Sequence, residues 1–360
     1  MEQYTIGVDL GGTTITAGLV DKDHNIVDRA SCLTGLPRPS EEVEQEIAGL
    51  CRQLAEKHQF AMSDLKWVGI GTPGSVNSES GVVEFNANFG YSDWALQANM
   101  ETLLGCKVYI ENDANAAAYG EYIAGAAKGA KYAVAITLGT GIGGGIIING
   151  KIFAGFNYAG AELGHTVVVK GGRPCMCGRR GCWEKYASAR ALTEDTRAAM
   201  LANPDNMMWK LVGGDLTKVG AKTAFDALHA GDELAKTVVS NWIEYVACGI
   251  TDVVNIFQPE VICIGGGVSA QGETLLGPIR EYVDREEYAR NGKKRTVIKA
   301  AELKNDAGVL GAASLGERLC ARKATRYVTG HCTGDDAYAW LHETLGDRLA
   351  YMATGTTFTI

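Results

Sequence analysis

The feature that most limits the fold is a pattern that occurs twice. Tyr4 to Asp9 is a short apolar run ending on an aspartate; Leu10-Gly11-Gly12-Thr13-Thr14 follows, and Ile15 to Val20 is apolar again. Ala133 to Gly150, AVAITLGTGIGGGIIING, repeats the plan with a Gly-Thr-Gly turn. Each unit reads as strand, turn, strand. Laying Asp9-Leu10-Gly11-Gly12 on Thr137-Leu138-Gly139-Thr140 gives a diverged duplication spaced at the length of a domain. Two such hairpins facing each other across a cleft can grip a polyphosphate from both sides. Gly11, Gly12, Thr13 and Thr14 in the first copy, and Gly139, Thr140 and Gly141 in the second, offer backbone N–H groups and hydroxyls to phosphate oxygens. The acidic residue survives only in the first copy, as one metal site requires. Asp9 is therefore the expected holder of a cation riding on those phosphates. One hairpin alone would say little, since a plain glycine turn beside an exposed Asp is common.

A second stretch, Glu162 to Glu184, carries a different chemistry. Cys175, Cys177 and Cys182 lie close together around Gly178 and Gly181, with His165 ten residues upstream of the first. Three thiolates and one imidazole make a closed tetrahedral set, the arrangement of structural zinc. Glu162 and Glu184 bracket it, so a metal that draws His165 to the knuckle carries both carboxylates towards one place. The alternative is three reduced, metal-free cysteines, yet the neighbours are Gly, Arg and Pro rather than an apolar run.

With 360 residues the chain has room for two domains and a full core. A net charge of −8 speaks against nucleic acid or a membrane surface as the main partner. No apolar run approaches the roughly 20 residues of a membrane-spanning helix. Ten cysteines and no export-signal pattern point to a reducing compartment, the cytoplasm. The 46 glycines, nearly twice the usual share of about 7%, cluster in a few loops, where backbone can approach a ligand closely.

The remaining segments fill in an α/β plan. Ser40 is expected to cap a helix whose buried stripe is Val43, Ile47, Leu50 and Leu54. Trp67 to Gly71 is a strand, with a sharp loop at Thr72-Pro73-Gly74-Ser75. Phe85 to Trp94 reads as a loop in which Asn88 could bind a polar ligand, although Asn there is more often a turn former. Lys107 to Ile110 is a strand followed by Glu111-Asn112-Asp113-Ala114-Asn115 and an alanine-rich helix. Asp113 has N-cap as its default role, yet ligands gather at strand ends in open α/β sheets. Asp113 is thus the candidate general base, taking a proton from a hydroxyl that attacks phosphorus, and Asn112 would orient that substrate. Helices are expected over Ala187 to Leu201, Ala221 to Ala230 and Asp232 to Phe257, the last stopping before Pro259. Glu260 to Ile264 is a strand, and Gly265-Gly266-Gly267 after it could accept the adenosine part of a nucleotide. Asp306 to Leu315 is a small-residue helix able to pack against the cleft. The expected division is residues 1–118 with the first hairpin, 119–304 with the second hairpin and the knuckle, a closing helix at 305–316, and a tail at 317–360. The tail has no assigned role; a short amphipathic helix near Tyr338 to Tyr351 is expected in it.

Taken in order, DLGGTT at 9–14, GTPG at 71–74, ENDANAAA at 111–118, GTGIGGG at 139–145, ELGH at 162–165 and CxCGxxGCxE at 175–184 resemble the ROK family (repressors, open reading frames and kinases), most closely its bacterial glucokinases. The match covers roughly residues 1–316. The resemblance implies a two-domain, actin-like, hexokinase-type fold closing on ATP, Mg2+ and a hexose, with glucose phosphorylated at its 6-hydroxyl. It implies Asp113 as catalytic base, and sugar contacts from Gly74, Asn88, Asn112, Asp113, Glu162, His165 and Glu184. It implies zinc on His165, Cys175, Cys177 and Cys182, and a homodimer. His165 could serve both, because an imidazole gives one nitrogen to metal and turns the other into a fixed donor. The family's repressors carry a helix-turn-helix before the first strand; here that strand begins within a few residues of Met1, which argues against repression. N-acetylmannosamine, fructose or allose would be alternative substrates. A sugar sensor without turnover would need neither Asp113 nor Asp9, and an ATPase acting on a protein would not need the Glu162, His165 and Glu184 set.

Overall fold

Strand β1 (Thr5–Leu10) is buried along almost its whole length, as a central strand covered on both faces must be. It forms a hairpin with β2 (Thr14–Val20), and β3 (Ile26–Leu33) pairs antiparallel beyond it. β3 alternates exposed and covered positions because it is an edge strand with one face to water. On the other side of β1 run β4 (Val68–Thr72) and, past a small antiparallel sheet of β5 (Ser75–Asn77), β6 (Val82–Asn86) and β7 (Tyr91–Trp94), the parallel strand β8 (Val108–Asn112). The structure is a computed structural model that describes residues 4–86 and 89–320, with two short strands beyond. Residues Met1–Leu315 make one compact unit and Gly316–Ile360 another.

The order of the first sheet, β3-β2-β1-β4-β8, is repeated in the second. There β9 (Tyr132–Leu138) pairs with β10 (Ile142–Ile148) and β11 (Lys151–Ile152) on one side, and with parallel β12 (Val261–Gly265) and β13 (Val297–Ala300) on the other, giving β11-β10-β9-β12-β13. The duplicated sequence pattern is thus a duplicated sheet. In both copies the antiparallel hairpin leads and the strand crossing back pairs in parallel with its first strand.

Helix α1 (Ser40–Lys57) buries Val43, Ile47, Leu50 and Leu54 against the first sheet, as their spacing requires. Glu44 is buried on the same stripe, where its carboxylate accepts from Trp94 Nε1 (2.6 Å) and Asn99 Nδ2 (2.8 Å), the latter on α2 (Leu96–Leu104). α3 (Asp113–Ala124) follows β8 and runs unbroken through residue 118. The second core gathers α4 (Glu184–Ala187), α5 (Ala189–Ala202), α6 (Met208–Leu211), α7 (Ala221–His229), α8 (Glu233–Phe257) and α9 (Glu273–Glu286) around and beside the second sheet. Trp183 and Trp242 are its largest buried side chains. Trp183 Nε1 donates to the Tyr245 carbonyl (2.7 Å) and Trp242 Nε1 to that of Ser188 (3.0 Å), which fixes the knuckle and the start of α5 to α8.

One helix, α10 (Ala307–Ala313), returns from the end of the second half to the first sheet and packs on α3, β1 and β4. It is built of Ala, Gly, Val and Leu and is wholly buried. Its backbone approaches so closely that a Cβ on Gly311 would lie 1.7 Å from the Ala116 carbonyl oxygen, and one on Gly69 would lie 1.7 Å from that of Ala312. Only glycine fits such crossings.

Several local expectations are corrected. Ser40 is the first residue of α1 rather than its cap; Pro39 holds the cap position, and the Ser40 hydroxyl turns to Glu41 (3.3 Å). Asn112, not Asp113, caps α3: its Oδ1 accepts from the N–H groups of Ala114 and Asn115. The stretch Phe85 to Trp94 is only in part a loop: Phe85 and Asn86 end β6, Phe89 and Gly90 turn, and Tyr91–Trp94 is β7, with residues 87 and 88 outside those described. β3 and β13 were not foreseen. Most of the expected tail helix falls outside the described residues, and at its end Leu349–Met352 is a strand paired in parallel with Tyr327–Gly330.

Candidate active site

A cleft of about 880 Å³ opens between the ends of the two sheets. It is lined by Asp9, Gly74, Asp113, Gly139, Thr140, Gly141, Glu162, His165 and Glu184 among the residues singled out from sequence. An adjoining cavity of about 570 Å³ is lined by Gly266 and Gly267 and shares Ala117, Thr137, Lys304, Asn305 and Ala307 with the first. Gly11, Gly12, Thr13 and Thr14 are not part of either lining. They form the β1–β2 turn, braced from below where Thr34 donates its hydroxyl to the Gly11 carbonyl (2.6 Å) and its N–H to that of Thr13 (2.8 Å). Asn88 lies outside the described residues.

Asp113 reaches the cleft because it is the first residue of α3, one step beyond the end of β8. Its Oδ1 accepts the Ala114 N–H at 2.8 Å. Burial raises its carboxyl above the ordinary carboxylate range, with the Ala114 N–H working against the shift. Asp9, near the end of β1, is pushed up to about 6, mainly by burial and then by the charge of Asp113. Glu162 is raised as well, first by burial; His165 opposes the shift, and Asp113 and Glu184 add to it. Carboxylates on separate elements thus feel one another across the cleft, the pattern expected where a cation and polar hydroxyls are to be held.

Asn112 is committed to backbone at both ends of its amide. While Oδ1 caps α3, Nδ2 donates to the Gly74 carbonyl (3.1 Å). Gly74 has φ +108, and a Cβ there would meet the Phe85 carbonyl at 2.3 Å, so the turn after β4 can be built only on glycine. Asn86 grips the same turn from the other side, donating to the Pro73 carbonyl at 2.7 Å, and it lines the cleft. Asn112 and Asn86 therefore fix the Gly74 turn, and Asn112 ties that turn to the start of α3.

Glu184 joins three parts. Its Oε2 accepts the Ile142 N–H (3.2 Å) just after the Gly139–Gly141 turn, and a Cβ on Gly141 would lie 2.4 Å from that oxygen. Its Oε1 accepts from the Cys175 thiol at 3.7 Å. The carbonyl of Gly139 accepts from the first N–H of α5, that of Ala189, at 2.9 Å. The second hairpin, the knuckle and α5 are thereby one hydrogen-bonded assembly.

The ligand atoms of His165, Cys175, Cys177 and Cys182 all lie within 4.8 Å of one another. His165 Nδ1 is 3.6 Å from Cys175 Sγ, and Cys177 Sγ is 3.6 Å from Cys182 Sγ. Zn–S and Zn–N bonds at tetrahedral angles place ligand atoms about 3.5–3.8 Å apart. The His165–Cys175 and Cys177–Cys182 separations match that spacing, and the donor set fits zinc in kind. Burial and the neighbouring sulfurs push the Cys182 thiol up to about 12, while the Arg179 N–H holds Cys177 below its usual range. A divalent cation relieves that crowding by taking all three as thiolates. With Nδ1 on the sulfur side, Nε2 is the nitrogen left for the cleft.

Among the lining residues with longer side chains, Asn86, Met176, Arg190, Lys304 and Asn305 escaped the sequence reading. Asn86 stands two positions from Asn88 in the same FNANFG stretch, and Met176 sits within the cysteine signature, so both lay beside residues already noted. Arg190 and Lys304 had no motif around them that marks a cation.

A duplicated α/β fold whose cleft holds a half-buried carboxylate beside a glycine hairpin is the actin-like ATPase fold of the hexokinase type. The ROK family profile matches residues 5–318. The chain is 40% identical over 314 residues to a glucokinase of Thermotoga maritima, an alignment covering 86% of this chain and 96% of that protein. It is 38% identical over 313 residues to a glucokinase of Streptomyces coelicolor, again 86% and 96% of the two chains. Among solved structures, a ROK family glucokinase from Streptomyces griseus in complex with glucose and AMPPNP superposes with a TM-score of 0.74 at 37% identity, over 87% of this chain and 98% of that one. This chain belongs to the ROK family.

Proposed function

We propose that the protein is an ATP-dependent hexose 6-kinase with glucose as its preferred substrate. The observation that carries this reading is the position of Asp113: a carboxyl raised by burial, on the cleft wall shared by Glu162, His165, Glu184 and the Gly139–Gly141 turn. Glucokinases at 40% and 38% identity support the choice of sugar.

In the proposed reaction Glu162, Glu184 and His165 Nε2 hold the sugar's hydroxyls together with the Gly74 turn, and the family resemblance adds Asn88 as a further sugar contact. Asn112 sets that turn and the start of α3 together, so sugar and base keep one register. Asp113 accepts the proton of the 6-hydroxyl as its oxygen attacks the terminal phosphorus in line. The hairpin turns at Gly11–Thr14 and Gly139–Gly141 receive the phosphates, and Gly266 and Gly267 the adenosine. Asp9 would hold the Mg2+ that accompanies the nucleotide and offsets its charge. The knuckle would hold a zinc closed off by four protein ligands, which fixes His165 and Glu184 and supplies no Lewis acidity. Residues 1–118 and 119–304 are read as two lobes that close on the substrates and exclude water, with 305–316 as the closing helix. A homodimer is carried over from the family resemblance, and a cytoplasmic place from the ten cysteines without an export-signal pattern. Among the described residues no helix is long and apolar enough to cross a membrane.

The test is coupled ADP release over a panel of hexoses. Glucose should give the highest kcat/KM, with glucose 6-phosphate as product. Preference for N-acetylmannosamine, fructose or allose would correct the substrate, and ADP release that no hexose stimulates would defeat the kinase reading.

A further inference from the structure

The cleft carries an excess of negative charge. Asp9, Asp113, Glu162 and Glu184 line it, while lysine and arginine contribute only Arg190 and Lys304 among the described residues. A nucleoside triphosphate adds several more negative charges. Something beyond one divalent cation has to receive them.

Lys304 is placed for this. It lines both cavities, in the wall they share, so a nucleotide lying along the two passes it between adenosine and terminal phosphate. Its φ is +53, a left-handed conformation that a residue with a Cβ disfavours. The backbone is held there from both sides. Just before it, the Glu121 carboxylate of α3 accepts the N–H groups of Glu302 (3.2 Å) and Leu303 (2.8 Å). Just after it, Arg29 Nη2 pairs with Asp306 at 2.7 Å. Among the described residues, no ion pair or hydrogen bond takes its ammonium. A strained backbone, clamped on both flanks and presenting an unpaired cation at the joint of two cavities, is the arrangement of a ligand contact rather than of a fold support.

We propose that Lys304 is a further substrate-contacting residue, whose ammonium binds the α- and β-phosphates of the phosphoryl donor. The proposal rests on the kinase reading above. It is tested with Lys304→Gly, Lys304→Met and Lys304→Arg, measuring Kd for a non-hydrolysable ATP analogue and for adenosine, KM for ATP and for hexose, and Tm. Lys304→Gly relieves the left-handed strain and should raise Tm. It should nonetheless weaken the analogue about tenfold, as loss of a charge-assisted hydrogen bond does, with a matching rise in KM for ATP. Adenosine affinity and KM for hexose should stay unchanged, and Lys304→Arg should retain most of the analogue affinity. A role in folding alone would lower Tm in Lys304→Gly and leave the split between analogue and adenosine untouched. A wild type that binds the analogue and phosphorylates sugar, with Gly and Met variants that match it, overturns the Lys304 assignment alone. A wild type that binds no analogue overturns the kinase reading with it.

Discussion

Asp9 shows what one site residue costs the fold. Its carboxyl titrates at about 6 in the folded chain against an ordinary 3.8, because it is buried and faces Asp113. The folded state therefore holds the proton more tightly than the unfolded one. The stabilisation belongs to acid pH and is lost as pH rises from about 4 through 6. The shift corresponds to up to about 3 kcal/mol. Asp9→Asn, which mimics the protonated form, should raise stability at pH 8 by up to that amount without nucleotide or Mg2+, and the gain should vanish near pH 4. It should also remove turnover, if Asp9 holds the cation. Urea unfolding at the two pH values checks this; a variant no more stable than wild type at pH 8 contradicts it. Cys177 is the second residue-scale test. The knuckle reaches the cleft, where the sugar is proposed to bind, through the Cys175 thiol on Glu184 and through His165. Cys177→Ser, or chelation, should lower Tm and weaken glucose binding by about tenfold, within the range seen when groups that orient a site are removed. Unchanged glucose affinity in metal-free protein would separate the knuckle from the site.

At the scale of elements, the contact that matters most is α10 against α3 and the first sheet. Gly311→Ala would force a methyl to within 1.7 Å of the Ala116 carbonyl oxygen. Because that neighbour is helix backbone and cannot swing aside, the change should destabilise by about 3 kcal/mol or more. It should also disturb Asp113, at the start of the same α3. A calorimetric scan showing a wild-type Tm would mean that the two helices part easily. The hairpins, the small-residue helix and the knuckle were legible in sequence because each is a local pattern with a mechanical reason. The edge strand β3 was not, since Asp28, Arg29 and Ser31 break IVDRASCL and an edge strand buries too little to leave an apolar run. The cap of α3 was misread for a related reason. Asn112 and Asp113 are both good caps, and only the β8 strand end, with Asn112 in extended backbone at φ −60 and ψ 143, decides between them. The strands in FNANFGYSDW were hidden because their amides and glycine are turn formers, whereas here Asn86 holds the neighbouring Pro73 turn. Arg190 and Lys304 could not be found at all without the folded chain, because only the fold brings them to the cleft.

For the whole molecule, duplication explains why the site is where it is. Two sheets of one plan bring the ends of β1 and β9 to one cleft, so Asp9 and the Gly139–Gly141 turn line it together. The copies then diverge. The first keeps the acidic residue, and the second carries the knuckle that delivers Glu162, His165 and Glu184. Residues of both halves thus line one cleft, with Asp113 at the start of α3 among them. The central claim is that Asp113 takes the hydroxyl's proton and is not needed to hold the sugar's other contacts. The most direct measurement is Asp113→Asn, followed by glucose binding in calorimetry and by glucose-dependent ADP release on the same preparation. Binding should stay within a few-fold of wild type while turnover falls by about 10³-fold, in the range of a lost general base. A variant that binds glucose normally and keeps a tenth or more of wild-type turnover would contradict the assignment.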